Sequence, residues 1–167
     1  ELQNNELDLC IVATGSDYLD VIRTPLTNEE ICVAITENHP LYKNAAPYDQ
    51  KPPCYPINAF QNDSFILLKK KAVLREITDQ FFEKAAFTPN FAMDTPTIHT
   101  ALLMLSGGIG TATLCPKGYD ASFSKLRYIA LDNPPFYSVS ICRRVGASPS
   151  KSLSFILNLI EENKWQY

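Results

Sequence analysis

Short apolar runs separated by polar, Gly- and Pro-marked breaks organise this chain. Residues 31–36, Ile31-Cys32-Val33-Ala34-Ile35-Thr36, are apolar almost throughout and run into Glu37-Asn38-His39-Pro40-Leu41. Such a run suits a strand covered on both faces, as in a parallel or mixed sheet flanked by helices. Pro40 stops it, because proline has no N–H and pushes the preceding residues toward an extended or turn exit. Residues 7–13 predict an earlier strand, closed by the turn residues Gly15, Ser16 and Asp17. Residues 42–62 hold Pro47, Pro52, Pro53 and Pro56 and predict an irregular surface connection.

Residues 63–68 predict the next strand, followed by Lys69-Lys70-Lys71 and a helix through Phe87 with Val73, Leu74, Ile77, Phe81 and Ala85 on its buried face. Residues 90–93 predict a brief strand. Thr95-Pro96-Thr97 predicts a helix start, with proline just inside a threonine cap and Ile98, Ala101, Leu102 and Leu105 as the buried stripe. Gly107-Gly108-Ile109-Gly110 ends that helix and turns the chain into a strand over 111–115, stopped by Pro116. Two further strands are expected over 126–131 and 136–143, then a helix capped by Ser148-Pro149 and carrying Leu153, Ile156, Leu157 and Ile160 on one side. Alternating strands and helices define an α/β chain.

The 167 residues are 46% hydrophobic and 20% charged, enough for a real core, and the net charge of −3 argues against a nucleic-acid surface on this chain. Five scattered cysteines without a Cys-x-x-Cys spacing, and two histidines, suit reduced thiols in a cytoplasmic protein rather than a disulfide framework or a zinc site. No apolar run is long enough to span a bilayer and no signal peptide is evident, so no membrane contact is expected.

The candidate chemistry is modest. Gly108 and Gly110 follow a helix and precede a strand, the reverse of a phosphate-cradling loop, so they read as a C-cap and tight turn. Lys69, Lys70 and Lys71 precede a helix whose N-terminal dipole disfavours cations. They are either an anion-binding corner or a solvated charge run, and composition leaves both readings open. Thr95 and Thr97 cap the second helix and can also offer hydroxyls to a small ligand. His39 and His99 lack a partnered nucleophile or carboxylate nearby in sequence, so no catalytic constellation is expected.

In order along the chain, Glu6-Leu7-Asp8-Leu9-Cys10-Ile11, residues 26–34, His39-Pro40-Leu41, Ser64-Phe65-Ile66-Leu67-Leu68, Arg75 with Phe81-Phe82, Pro89, residues 103–116 and Arg143-Arg144 resemble the effector-binding domain of LysR-type transcriptional regulators. Two departures accompany the resemblance. One residue more than usual lies between Gly110 and Pro116, and roughly forty residues of a leading strand, helix and strand, judged from typical βαβ length, are absent before residue 7.

The resemblance implies a periplasmic-binding-protein-like, two-lobed α/β domain with mixed sheets and an incomplete first lobe. Residues 1–34 would be the remnant of lobe I, 35–143 lobe II, and 144–167 a return segment and terminal helix on lobe I. It implies a small effector, anionic in this case, held by Leu68, Lys69, Lys70, Lys71, Thr95, Pro96, Thr97, Gly108 and Ile109, with no cofactor and no catalysis. The lobe-I part of the cleft would lie outside this sequence. DNA would be contacted through an upstream winged helix. Uncovered Leu9, Ile11, Ile156 and Ile160 would favour a homo-oligomer. The competing class is a solute-binding protein or enzyme of the same architecture.

Overall fold

A computed structural model describes all residues except 1, 3, 5, 15–20, 48, 118, 120, 121, 147–149 and 163–167. In chain order the elements are β1 (Leu9–Thr14), β2 (Val21–Ile35), β3 (Cys54–Tyr55), a 3-10 turn (Ile57–Phe60), β4 (Ser64–Leu68), α1 (Val73–Lys84), β5 (Asn90–Thr95), α2 (Ile98–Ser106), β6 (Ala112–Pro116), β7 (Arg127–Leu131), β8 (Phe136–Arg144) and α3 (Lys151–Glu162). They fall into two compact units, one made of Glu1–Asn28 with Tyr137–Tyr167, the other of Glu29–Phe136. The seams lie slightly upstream of the expected boundaries at 34/35 and 143/144.

The unit Glu29–Phe136 is built around the end of β2. Residues 31–35 are wholly buried because β6 and β7 both pair with them, in registers Ile31↔Pro116 and Cys32↔Ala130. A strand with a neighbour on each side and side chains covered on both faces has no polar face to offer, which explains the unbroken apolar run. Strand order across this unit is β3-β7-β2-β6-β4-β5. β2 is antiparallel to β6 and β7, whereas β6, β4 and β5 are mutually parallel and β3 is parallel to β7. β2 therefore runs alone against an otherwise parallel sheet. The extra residue near Gly110 does not blur the register, since Phe65↔Ala112 and Ile66↔Thr113 pair cleanly.

β2 begins ten residues earlier than its apolar core suggests. Residues 21–30, including Pro25, Asn28 and Glu30, are half-buried or exposed and extend because β8 pairs beside them; tertiary pairing outweighs weak local propensity.

The proline-rich connection is also more than a surface loop. It supplies β3, and Ile57 and Phe60 are buried, Phe60 completely. Burying such side chains stabilises by roughly 2–3 kcal/mol each.

α1 buries Leu74, Thr78 and Phe82, while Val73, Ile77 and Phe81 of the expected stripe are half-buried, so the buried face is turned by one residue. The cause is aromatic packing, with Phe82 and Phe87 each packed edge-on or tilted against Phe65 and each other at 5.2–5.9 Å. The helix ends before Phe87. Ala86 takes φ 50°, and the N–H groups of Ala86 and Phe87 donate to Glu83 and Phe82 carbonyls, a Schellman closure. α2 closes the same way, with Gly108 at φ 86° and Ile109 N–H donating to Met104 O. Its buried residues are Ile98, Ala101, Leu102 and Leu105, as the periodicity predicts.

In the other unit, β1 pairs antiparallel with β8, and β8 lies next to residues of β2. Ile11 and Ile156 are exposed and Leu9 and Ile160 half-buried. The expected Ser148-Pro149 cap lies outside the described residues. Ser150 holds the start of α3, its hydroxyl accepting from Leu153 N–H at 3.1 Å.

Candidate functional site

The parallel strands of the Glu29–Phe136 unit share a carboxyl edge, where Leu68 and Thr95 face each other in register and where the chain enters at Glu29 and leaves at Phe136. Lys69 N–H donates to Thr95 O at 2.9 Å, so the segment after β4 stays beside the end of β5. Lys69–Ala72 then forms a tight turn, with Ala72 N–H donating to Lys69 O and Lys71 at φ 76°. The turn leaves all three lysines exposed immediately before α1.

The two helix starts at this edge differ. α2 is capped by Thr97, whose hydroxyl accepts from Thr100 N–H at 3.1 Å and lies 2.8 Å from the Thr100 hydroxyl. Pro96 stands before the cap instead of inside the helix, and Thr95 is buried with its hydroxyl donated to Thr97 O. The Thr95 hydroxyl is thus engaged within the protein. α1 starts at Ala72 with no side-chain cap. Its first-turn N–H groups lack intrahelical acceptors, and Glu76 is the acidic group in that turn.

An open depression of about 640 Å³ lies against this uncapped start, lined by Lys69, Lys70, Arg75, Phe91 and Asp94. Arg75, Phe91 and Asp94 are absent from the residues expected from sequence. Arg75 sits on α1, donates to Leu68 O at 2.8 Å, and pairs with Asp79 at 2.7 Å, tying the strand end to the helix. Phe91 and Asp94 come from β5, and Phe91 is more than half exposed. The apolar run Phe91-Ala92-Met93 in sequence does not reveal that Phe91 is left exposed on β5. The lining carries three cations against the single carboxylate of Asp94.

Gly108 and Ile109 do not join this group. Ser64 O accepts from Thr111 N–H, which places the glycine turn at the opposite, amino edge of the parallel strands. The nine residues of α2 separate the two edges by about 13 Å. Gly108 instead lines a crevice of about 40 Å³ with Thr36, Glu37, Leu105 and Leu126. The chain order of motifs does not reveal which end of a parallel sheet each will occupy.

His39 belongs to the amino edge. It is buried, its Nδ1 accepts from Leu41 N–H at 3.1 Å, and its Nε2 lies 3.0 Å from both Asp63 carboxylate oxygens. Since Nδ1 accepts, Nε2 carries the hydrogen and donates to Asp63. The Thr111 hydroxyl donates to Asp63 Oδ1 at 2.7 Å and accepts from Ser64 N–H at 2.9 Å. These groups tie the ends of β2, β4 and β6 together as a structural network and leave His39 no substrate to face. Among the described residues, no group of three or more His, Cys, Asp or Glu is arranged to hold a metal, and no helix is long and apolar enough to cross a membrane.

The family model of the LysR substrate binding domain matches residues 1–164. The chain belongs to this family. The uncharacterized HTH-type transcriptional regulator YybE of Bacillus subtilis (strain 168) is 31% identical over 128 residues, covering 75% of this chain and 41% of that protein. The chain thus spans about two-fifths of that curated relative's length. Among solved structures, the regulatory domain of CcmR from Synechocystis PCC6803 in complex with 2-PG is similar at TM-score 0.81 and 19% identity, over 99% of this chain and 77% of that one. The effector binding domain of QuiR in complex with shikimate is similar at TM-score 0.80 and 18% identity, over 98% and 74%. At these identities the likeness is one of fold. As a member of the LysR substrate binding domain family, the chain has the mixed α/β, periplasmic-binding-protein-like architecture of those neighbours.

Proposed function

We propose that this chain is the non-catalytic effector-sensing part of a LysR-type transcriptional regulator, and that its effector is a small anion held at the carboxyl edge of the Glu29–Phe136 unit. The observation that supports the anion is the uncapped start of α1 with Lys69 and Lys70 beside it, opening on the depression that Arg75, Phe91 and Asp94 complete. A carboxylate or phosphate there meets unpaired helix N–H groups, the positive end of the dipole and two lysine charges. Phe91 offers an apolar wall to the rest of the molecule. Asp94 opposes a bare anion and favours one that also carries hydroxyl donors, as shikimate, bound by QuiR, does.

Within this reading the Glu29–Phe136 unit is lobe II, and Lys69, Lys70, Lys71, Pro96 and Thr97 form its ligand-facing rim, with the buried strand ends Leu68 and Thr95 behind it. DNA is contacted by a part of the regulator outside this chain, in keeping with the longer HTH-type relative. The regulator is cytoplasmic and acts as a homo-oligomer. Effector binding is transmitted because the ligand prefers one arrangement of the protein over another.

Isothermal titration and thermal shift with shikimate, benzoate and inorganic phosphate at matched ionic strength test the anion. Binding by at least one, weakened about tenfold by Lys69→Ala with Lys70→Ala, corresponding to about 1.4 kcal/mol, supports the reading. Binding unchanged by the double substitution overturns the site, and no binding by any of these or a wider carboxylate panel overturns the anionic effector.

A further inference from the structure

Outside the carboxyl edge, the chain carries two cysteine pairs set directly opposite each other across antiparallel strands. Cys10 on β1 faces Cys142 on β8, and Cys32 on β2 faces Cys115 on β6. Directly opposed residues project from the same face with Cβ atoms about 4.5–5.5 Å apart, and the Cα separation of such pairs lies within the range a disulfide spans. Neither pair is needed by the effector site.

The two pairs differ in access. Cys32 and Cys115 are wholly inside the core, their sulfurs 3.9 Å apart, with the Cys32 thiol donating to Cys115 O at 3.4 Å. No oxidant reaches them without unfolding. Cys10 is half-buried and so open to solvent on one side, while Cys142 behind it is buried. Burial, and then the neighbouring Cys10, raise the pKa of the Cys142 thiol, and the charge of Arg23 on β2 offsets this only in part. A solvent-reachable thiol with a shielded partner directly opposite it in register is the arrangement in which a sulfenic acid is resolved to a disulfide.

We propose that Cys10 and Cys142 form a reversible disulfide across β1 and β8 when the protein meets a hydroperoxide. The Cys10 thiolate attacks one peroxide oxygen and the O–O bond breaks. The departing alkoxide or hydroxide takes a proton, leaving Cys10 as a sulfenic acid. The Cys142 sulfur, having released its proton, attacks Cys10 Sγ; the S–O bond breaks and the leaving hydroxide is protonated to water. Two electrons pass from the two thiols to the peroxide. The products are one disulfide, one water, and an alcohol or second water. A thiol reductant reverses the bond and restores both cysteines. The link fastens β1 covalently to β8 in the unit that holds both chain ends.

The test is stoichiometric hydrogen peroxide on the purified chain, followed by alkylation and non-reducing peptide mapping. The wild-type protein should yield a cross-linked peptide pair containing Cys10 and Cys142, lighter by two hydrogens, removed by dithiothreitol and migrating faster on a non-reducing gel because the loop closes within one chain. Cys142→Ser should stop at a dimedone-reactive sulfenic acid on Cys10. If both cysteines remain alkylatable while exposed Cys54 is oxidised, if Cys10 links to a second chain, or if Cys32 and Cys115 pair first, the proposal fails. The wild-type map decides the matter even where the variant does not fold.

Discussion

Replacing His39 with alanine isolates the network that closes the amino edge of the Glu29–Phe136 unit. His39→Ala removes a hydrogen bond to the Asp63 carboxylate, worth about 2 kcal/mol for a charged acceptor. It strands the Leu41 N–H that Nδ1 accepts, which costs about 1 kcal/mol. The missing ring also leaves a void beside Phe60, whose centroid lies 5.8 Å from the imidazole, adding about 1 kcal/mol. A loss of about 4 kcal/mol lowers the urea midpoint by about 2 M at an m-value near 2 kcal/mol/M, with the slope unchanged. Against a total of roughly 5–15 kcal/mol, that brings the unit near its limit. His39→Asn keeps an acceptor near the Nδ1 position without reaching Asp63, so it should recover the Leu41 share alone. Thr111→Val, which removes the other hydroxyl contact to Asp63, should be non-additive with His39→Ala in a double-mutant cycle. Urea unfolding followed by far-ultraviolet circular dichroism measures all of these. A His39→Ala variant within about 1 kcal/mol of wild type, the range of an ordinary substitution, would refute the network as the reason for the His-Pro-Leu segment.

Two further outcomes follow from local geometry. Gly110→Ala places a Cβ 2.8 Å from Ser64 O at φ 67°, whereas Gly108→Ala meets nothing within 4 Å at φ 86°; both pay the left-handed strain of about 1 kcal/mol, so Gly110→Ala should unfold at clearly lower urea than Gly108→Ala, and equal midpoints would contradict the close approach. The Cys54 thiol donates to Asp132 at 2.8 Å, and that hydrogen bond, followed by burial and the Asp132 and Glu30 charges, raises its pKa. Because the folded thiol holds its proton more tightly, its contribution is present below the unfolded thiol range and is lost as pH rises above about 8.5. Asp132→Ala should therefore speed iodoacetamide labelling of Cys54 severalfold at pH 8, and labelling no faster than in wild type would remove Asp132 as the cause.

Much of the fold was legible because its strongest signals are local. The unbroken run at residues 31–35, the α2 stripe and the glycine turn each report a single dominant environment, and all three hold. What escaped was set by distant partners. Residues 21–30 extend only because β8 lies beside them. Phe60 and Ile57 are buried although prolines and polar residues surround them in a segment without strong periodicity, since a chain crossing a core edge needs only one or two anchors there. The α1 face turned by one residue because Phe65, on another strand, decided which aromatic would face it. At the candidate site, the lysine turn was visible in sequence, while Phe91 and Asp94 joined it only through the parallel pairing of β4 with β5, and Arg75 through its bond from α1 back to Leu68 O.

The division of labour between the two edges of one sheet follows from the same pairing. At the amino edge, the backbone is satisfied by buried side chains: His39, Asp63 and Thr111 close the network, and Gly110 lets the chain pass Ser64 too tightly for any side chain. Such an edge is stiff, and it resists substitution. At the carboxyl edge, one helix start is capped by its own threonine and the other is not. Parallel strands and the helices that follow them aim N–H groups toward that edge as a consequence of connectivity. An uncapped α1 preceded by three lysines raises local free energy unless an anion relieves it, and a fold whose opposite edge is locked by buried hydrogen bonds can carry that conflict without losing its register.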